Sequence, residues 1–352
     1  MTQEDSARPA QREVTRLFGM RLEALQDLSD ALRFPRYTAM QMAEWLYHRK
    51  VSSTDEMLNL SKARRAQLQE VAEVGVADPV DVQVSADGTR KYLFPASPGG
   101  YVETVFIPDG ERATACISSQ VGCRMGCAFC MTGRQRFTGN LTSGDILNQL
   151  RSLPEADALT NVVYMGMGEP FDNLDAVLDS IEVLTAPWGF GMAARRITVS
   201  TAGVIPGMEE FLRRTRCHLA VSLHNPFDDE RAAMMPVQHK YPISEVVRTL
   251  RRYDFSDYRR LSFEYIVFDG LNDTPRHADA LATLLKGLPC RVNLIRFHAI
   301  EGSAFRGAPE ERMLDFQRRL QSHGLQVTIR HSRGEDIMAA CGMLSTLKNN
   351  VQ

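Results

Sequence analysis

Three cysteines lie close together in the segment Cys123-Arg-Met-Gly-Cys-Ala-Phe-Cys130, with the spacing CxxxCxxC. Three thiolates on one short loop can each hold one iron of a cubane iron–sulfur cluster, leaving the fourth iron without a protein ligand. A cluster that only carries electrons is closed by four cysteines, so an open iron points to a substrate chelated there. A zinc site, or three unrelated buried cysteines, would draw on the same residue type. Gly122 and Gly126 fit ordinary turns and also let backbone approach a cluster closely. The chain has seven cysteines, of which four fall between Cys116 and Cys130. Clustering of that kind in a reducing compartment suggests metal or catalysis before disulfides.

Such chemistry needs a scaffold that gathers distant residues. From Ala113 onward, short β-branched runs alternate with segments of helical period: 113–118, 161–165, 196–200, 218–223, 262–268, 291–297 and 326–330. Strand–helix alternation implies a parallel sheet. Runs that are apolar on both faces and evenly spaced predict an α/β fold with a partial (β/α) barrel rather than an open sheet. Barrels place their chemistry at the C-terminal ends of strands, and the special residues fall there. The cysteines follow the first run, Gly166-Met-Gly-Glu169 the second, Ser200-Thr-Ala-Gly203 the third, His224 the fourth and His298 the sixth. Taken singly, Ser200, Ser222, His224 and His298 read as structural hydroxyls or satisfied histidines, and Gly168-Glu169 as a turn with an exposed carboxylate.

The stretch to about Pro95 reads as mostly helical, with Met42, Trp45 and Leu46 at helical spacing. This predicts a small helical accessory domain over residues 1–95 and a catalytic domain over 96–352. Asp87-Gly88 offers a hairpin turn before Lys91-Tyr-Leu-Phe94, and Ala96-Ser-Pro-Gly-Gly100 a turn or linker. A 44% hydrophobic content excludes a disordered chain, and a net charge of −2 supplies no bulk positive field for nucleic acid. Any RNA site must therefore come from local clusters such as Arg36, Lys62-Ala-Arg-Arg65, Arg195, Arg196, Arg213 and Arg214, each of which reads first as a plain surface charge. With no apolar run near membrane-spanning length and no cleavable leader pattern, a cytoplasmic protein without a membrane partner is expected.

Several stretches together resemble the RlmN/Cfr family of radical S-adenosylmethionine (SAM) RNA adenine methyltransferases. They are 116–130 (CISSQVGCRMGCAFC), 164–170 (YMGMGEP), 222–224 (SLH) and 333–342 (RGEDIMAACG). The resemblance runs from about Arg36 to Leu344 and is specific, because general radical SAM proteins share the cluster motif but lack the pair Cys116 and Cys341. The resemblance implies a [4Fe–4S] cluster on Cys123, Cys127 and Cys130, whose open iron takes the amino and carboxylate groups of SAM. An electron from the reduced cluster then cleaves SAM to methionine and a 5′-deoxyadenosyl radical. Implied SAM contacts are Gly168, Glu169, Ser200, Ser222, Leu223, His224 and His298, with Glu169 accepting from the SAM ammonium. The RlmN branch resembles the chain most. It implies methylation at carbon 2 of adenosine 2503 in 23S rRNA and of adenosine 37 in some tRNAs, whereas the Cfr branch acts at carbon 8. Arg296 stands where many RlmN sequences have proline, and His298 where they have asparagine; imidazole can replace an amide as donor.

Carbon 2 of adenine lies between two ring nitrogens and is too electron-poor to attack the methyl group of SAM, but a carbon radical can add to it. By the resemblance, Cys341 is methylated by one SAM, and the radical from a second SAM removes a hydrogen from that S-methyl group. The thiomethylene radical adds to the base. Cys116 then removes the carbon-2 proton and releases the product by forming a disulfide with Cys341. Glu103 matches a position assigned as proton acceptor, and a low-potential donor such as flavodoxin or ferredoxin supplies the electron. Outside the resemblance, Cys116 and Cys341 read as small core residues and Glu103 as a strand carboxylate; Cys217 and Cys290 match no functional position. A non-catalytic iron–sulfur RNA-binding protein would share the cysteine motif, yet would leave SAM intact and Cys341 unmodified.

Overall fold

A computed structural model describes residues 14–256, 258–300 and 302–345. Residues 1–13 of the expected accessory domain lie outside the described residues. The N-terminal unit contains α1 (Leu22–Ala31), α2 (Thr38–Ala43), a wider helical turn at Glu44–His48, and α3 (Lys62–Gln69). The apolar spacing over 38–48 works as predicted: Met42 and Leu46 are fully buried and Trp45 packs beside them. A two-residue parallel ladder of Thr15–Arg16 with Ala72–Glu73 closes this unit. It docks on the rest of the chain through two glycines. A Cβ on Gly19 would fall 2.2 Å from the backbone nitrogen of Gly144, and one on Gly144 would fall 2.4 Å from the carbonyl oxygen of Phe18, so neither position accepts a larger residue.

The main sheet has ten strands whose spatial order follows the chain. They are β1 (Asp81–Val84), β2 (Arg90–Pro95), β3 (Tyr101–Asp109), β4 (Arg112–Cys116), β5 (Asn161–Tyr164), β6 (Ile197–Thr201), β7 (His218–Ser222), β8 (Leu261–Val267), β9 (Arg291–Arg296) and β10 (Gln326–Ile329). From β4 to β10 all neighbours are parallel, while β1 to β4 pair antiparallel. The edges are β10 and β1, so the parallel part is an incomplete barrel. All seven predicted runs from Ala113 onward are strands, displaced by at most two residues.

The reading of residues up to Pro95 as mostly helical is corrected. Helix ends at Gln69, and β1 and β2 join the sheet because Lys91 to Phe94 are buried on both faces. The turn at Asp87-Gly88 forms as expected, with Gly88 at φ 84° and the Ser85 N–H donating to the Thr89 carbonyl at 2.8 Å. The sheet continues across the expected division at residue 95, since β2 and β3 pair from Arg90↔Phe106 to Pro95↔Tyr101.

Each parallel crossover carries a helix that covers the sheet, which is why these strands are apolar on both faces. The crossover after β7 shows the pattern most clearly: in its helix Ile243–Leu250, Ile243, Val246, Val247 and Leu250 are buried at the i, i+3, i+4, i+7 spacing of one helical face. In β8, Leu261, Phe263, Tyr265 and Val267 fill one side, and Glu264 is a buried carboxylate on the other. Among the described residues no helix is long and apolar enough to cross a membrane.

Candidate active site

Beyond the end of β4 the chain crosses a short ladder, Gln120–Val121 with Gly139–Asn140, and enters the cysteine loop. Gly122 has φ 78°, and a Cβ there would meet the Arg136 carbonyl oxygen at 2.4 Å, so the turn that launches the motif requires glycine. The Ala128 N–H donates to the Met234 carbonyl at 3.0 Å, and the Cys130 N–H to the Cys127 carbonyl at 3.1 Å, which fixes the loop. Burial pushes the Cys123 thiol up to about 12 and the Cys127 thiol well above its usual value, and the charges of the neighbouring cysteines push in the same direction. Thiols whose ionisation is opposed in this way call for a cation. Among the described residues, no three His, Cys, Asp or Glu side chains converge on one point as single-ion ligands do. An iron–sulfur cubane, which takes one thiolate at each of three corners, fits this donor set.

Cys123, Cys127 and Cys130 share one cavity with Gly168, Glu169, Ser200, Ser222 and His224. Gly168 has φ 98°, and a Cβ there would lie 2.6 Å from the Gln120 Cβ, so the loop after β5 lies directly on the start of the cysteine loop. Glu169 accepts from the Phe171 N–H at 3.1 Å and the Ala202 N–H at 2.7 Å, which ties the ends of β5 and β6 together. Burial pushes its carboxyl up to about 7, with those hydrogen bonds opposing. A ligand ammonium in the cavity would hold it ionised. His224 adopts a left-handed φ of 57° and accepts from the Ile266 N–H at 3.0 Å through Nδ1. Its proton is therefore on Nε2, and burial, with Arg231 adding to it, lowers its pKa to about 3, so the ring is a neutral donor. The Ser200 and Ser222 hydroxyls make no hydrogen bond to the described residues. The arrangement offers a carboxylate for an ammonium and hydroxyl and imidazole groups for a polar ligand.

Cys341 sits on a strap tied at both ends. Gly334 donates to Asp87 at 3.1 Å and the Ala86 N–H donates to Asp336 at 3.1 Å; beyond Cys341, the Met131 N–H donates to the Gly342 carbonyl at 2.8 Å and the Ser345 N–H to Glu103 at 2.7 Å. The strap places Cys341 in the wall of the cavity of the motif cysteines and of a second cavity, which also contains Cys116, Arg296 and His298. Met165, Ile295 and Arg330 also line both. Cys116 and Cys341 are both free thiols. The disulfide implied by the resemblance is therefore not part of this resting fold. Burial pushes the Cys116 thiol up to about 12, with Cys341 adding and Arg330 opposing. Cys341 is exposed but enclosed by cavity walls; enclosure raises its pKa and Arg330 opposes the rise.

Besides Cys116, three of the expected site residues stand apart from the cavity of the motif cysteines. The Leu223 side chain is fully buried in the core, and only its backbone works near the site, as an acceptor for Arg231 at 2.9 Å. His298 lies in the second cavity, where its ring meets Ser332 at 2.6 Å and Glu335 at 2.9 Å. Glu103 lines neither cavity; it forms a buried pair with Lys91 at 3.1 Å and anchors the strap through Ser345. Arg213 and Arg214 pair with Glu210, so their charge is partly neutralised.

Sequence reasoning missed Arg231, Arg330 and Glu264. Arg231 is fully buried and donates to the carbonyls of Leu223, Ala202 and Ser222 and to Gln238, pinning the ends of β6 and β7. Its run Asp228-Asp-Glu-Arg231 looks like an exposed helix start, and nothing in it signals burial. Glu264 did carry a signal, a carboxylate inside an otherwise apolar strand.

Residues 117–281 match the family model of the radical SAM superfamily, and residues 15–74 match that of the ribosomal RNA large subunit methyltransferase N-terminal domain. A probable dual-specificity RNA methyltransferase RlmN of Porphyromonas gingivalis is 56% identical over 332 residues, 94% of this chain and 97% of the relative. The dual-specificity RNA methyltransferase RlmN of Syntrophus aciditrophicus is 44% identical over 330 residues, 93% of this chain and 95% of the relative. The crystal structure of a radical SAM methyltransferase from Sphaerobacter thermophilus superposes with a TM-score of 0.88 at 40% identity, covering 94% of this chain and 99% of that one. The chain belongs to the RlmN family of radical SAM methyltransferases, whose chemistry uses a [4Fe–4S] cluster and SAM.

Proposed function

We propose that this enzyme methylates carbon 2 of adenosine 2503 in 23S rRNA, and adenosine 37 in tRNAs, through an S-methyl group carried on Cys341. The observation that carries this reading is the position of Cys341 in the wall of two cavities, one with the three motif cysteines and one with Cys116. A carrier that receives a methyl group on one side and delivers it on the other needs that position. Cys123, Cys127 and Cys130 hold the cluster, and Glu169, Ser200, Ser222 and His224, beside Gly168, hold SAM. When bound, the cluster supplies the electron that cleaves SAM.

Two SAM molecules serve each turnover, one for the methyl group on Cys341 and one for the radical. Cys116 takes the carbon-2 proton and forms a transient disulfide with Cys341. Glu103 acts by holding the strap, through Lys91 and Ser345, rather than by meeting the base. The helical unit over residues 15–74 contacts RNA, and a flavodoxin or ferredoxin supplies electrons in the cytoplasm. The base must leave its stack to reach the barrel mouth, which favours recognition by shape and phosphate contacts. Mass spectrometry of nuclease-digested rRNA from cells with and without the gene tests the reading. Gene-dependent 2-methyladenosine is expected, whereas 8-methyladenosine or no difference would overturn it.

A further inference from the structure

We propose that Arg330 is the cation that serves the Cys116–Cys341 pair, favouring ionisation of Cys116 to the thiolate that takes the carbon-2 proton. This rests on the carbon-2 reading above and adds a residue to it. Of the four residues that line both cavities, Met165, Ile295, Arg330 and Cys341, only Arg330 is charged. Its N–H extends the β9–β10 ladder by donating to the Leu294 carbonyl at 2.9 Å, and its own carbonyl accepts from the Arg296 guanidinium at 2.9 Å. Its side chain, by contrast, is loosely held. One nitrogen lies 3.5 Å from Glu264 and 3.8 Å from the Met165 sulfur. Glu264 accepts from Asn293 at 2.8 Å and Ser262 at 2.9 Å on one oxygen, and its other oxygen makes the long 3.5 Å ion pair with Arg330 through one guanidinium nitrogen.

The other charged groups around the second cavity are paired or at its rim. Arg296 is held by Glu310, Arg333 by Asp109 and His298 by Glu335, while Arg112 and His331 are exposed at the edge. Cys341 adds negative charge if it ionises. Arg330 alone joins the two thiols to the cofactor side.

A buried thiol stays protonated and cannot accept a proton, so the base step requires a nearby cation. With that cation present, the Cys116 thiolate takes the carbon-2 proton and becomes a thiol, the C–H electron pair enters the ring, and the unpaired electron that radical addition left on the ring passes to a one-electron acceptor, the oxidised iron–sulfur cluster. The Cys116 and Cys341 sulfurs then bond as the bond from the Cys341 sulfur to the methylene breaks. The electron pair of that bond stays on carbon, and the thiol hydrogen completes the methyl group.

The test is the rate of alkylation of Cys116 by iodoacetamide from roughly pH 7.5 to 10, read by peptide mass spectrometry. It uses cluster-loaded protein carrying Cys341→Ala, so that one thiol of the pair reacts. Arg330→Gln should slow alkylation about tenfold at each pH, and Arg330→Lys should keep it within about twofold, because only charge is shared between arginine and lysine. Equal rates for arginine, lysine and glutamine would overturn the proposal. A second measurement needs no change at Arg330: a cation beside the thiol favours the anionic reagent iodoacetate over iodoacetamide more than in free cysteine. A ratio equal to that of free cysteine would overturn the proposal as well. Loss of the carbon-2 product would sink the functional reading and leave these alkylation rates as they are.

Discussion

Glu169→Gln should make the cofactor-free protein more stable relative to wild type as pH rises, while weakening its hold on SAM. Burial raises the Glu169 carboxyl from 4.5 to about 7. The folded protein therefore binds this proton more tightly than the unfolded chain does. The resulting stability is fully present below pH 4.5 and is lost as pH rises through about 7. A shift of this size corresponds to about 3 kcal/mol. Glutamine removes the titration but turns an amide N–H toward the Phe171 or Ala202 N–H, a pH-independent cost. The difference in unfolding free energy, wild type minus variant, should therefore fall by about 3 kcal/mol between roughly pH 4.5 and 8, measured by urea unfolding at each pH. Saturating SAM should flatten this slope in wild type, because an ammonium beside the carboxylate favours its charged form. A difference that stays flat without SAM, or rises with pH, would refute the placement of an unneutralised carboxyl in this cavity.

Lys91→Met should cost about 3 to 5 kcal/mol in urea unfolding by leaving the Glu103 carboxylate buried without its cation, and adding Glu103→Gln should recover most of that loss; independent, additive losses would contradict the buried-pair account. Gly168→Ala should lower SAM affinity in equilibrium binding by at least about tenfold, because the new Cβ must displace Gln120 and the position has φ 98°; unchanged affinity would mean that the loop adapts. Changing any one of Cys123, Cys127 or Cys130 to alanine should remove the cluster's visible absorbance and SAM cleavage together, and full iron content in all three variants would exclude the motif as the ligand set. Cys116→Ala should still cleave SAM yet accumulate RNA joined to Cys341, seen as a slow band on a denaturing gel that collapses with ribonuclease. Release of methylated RNA at the normal rate with no such band would return Cys116 to a structural role.

The parallel strands were legible because burial on both faces leaves uninterrupted β-branched runs, as at 218–223 and 262–268. The motif cysteines and Glu169 were legible because barrel topology brings strand ends together wherever they fall in the chain. The three antiparallel strands β1 to β3 were harder to see. Their hairpin turns carried clear glycine signals, but Val82 and Val84 are exposed and Lys91 and Glu103 are buried, which inverts the usual polarity pattern. Lys91 and Glu103 compensate each other across neighbouring strands, and a pairing of that kind cannot be seen until the register is known. The same reason hid Arg231, whose hydrogen-bond partners include backbone carbonyls from two separate strand ends. His298 was expected at SAM because it follows a strand end, yet Ser332 and Glu335 hold it in the second cavity.

The central claim is that the methyl group passes through Cys341 and loses a hydrogen on the way. The most direct test supplies SAM with a fully deuterated methyl group to reduced, cluster-loaded enzyme whose Cys341 has been charged with the same label. The rRNA product is then digested and its 2-methyladenosine weighed. Transfer by way of a radical on the Cys341 methyl group predicts a product methyl with two deuteriums and one hydrogen. A methyl carrying all three deuteriums would show direct transfer and contradict the account.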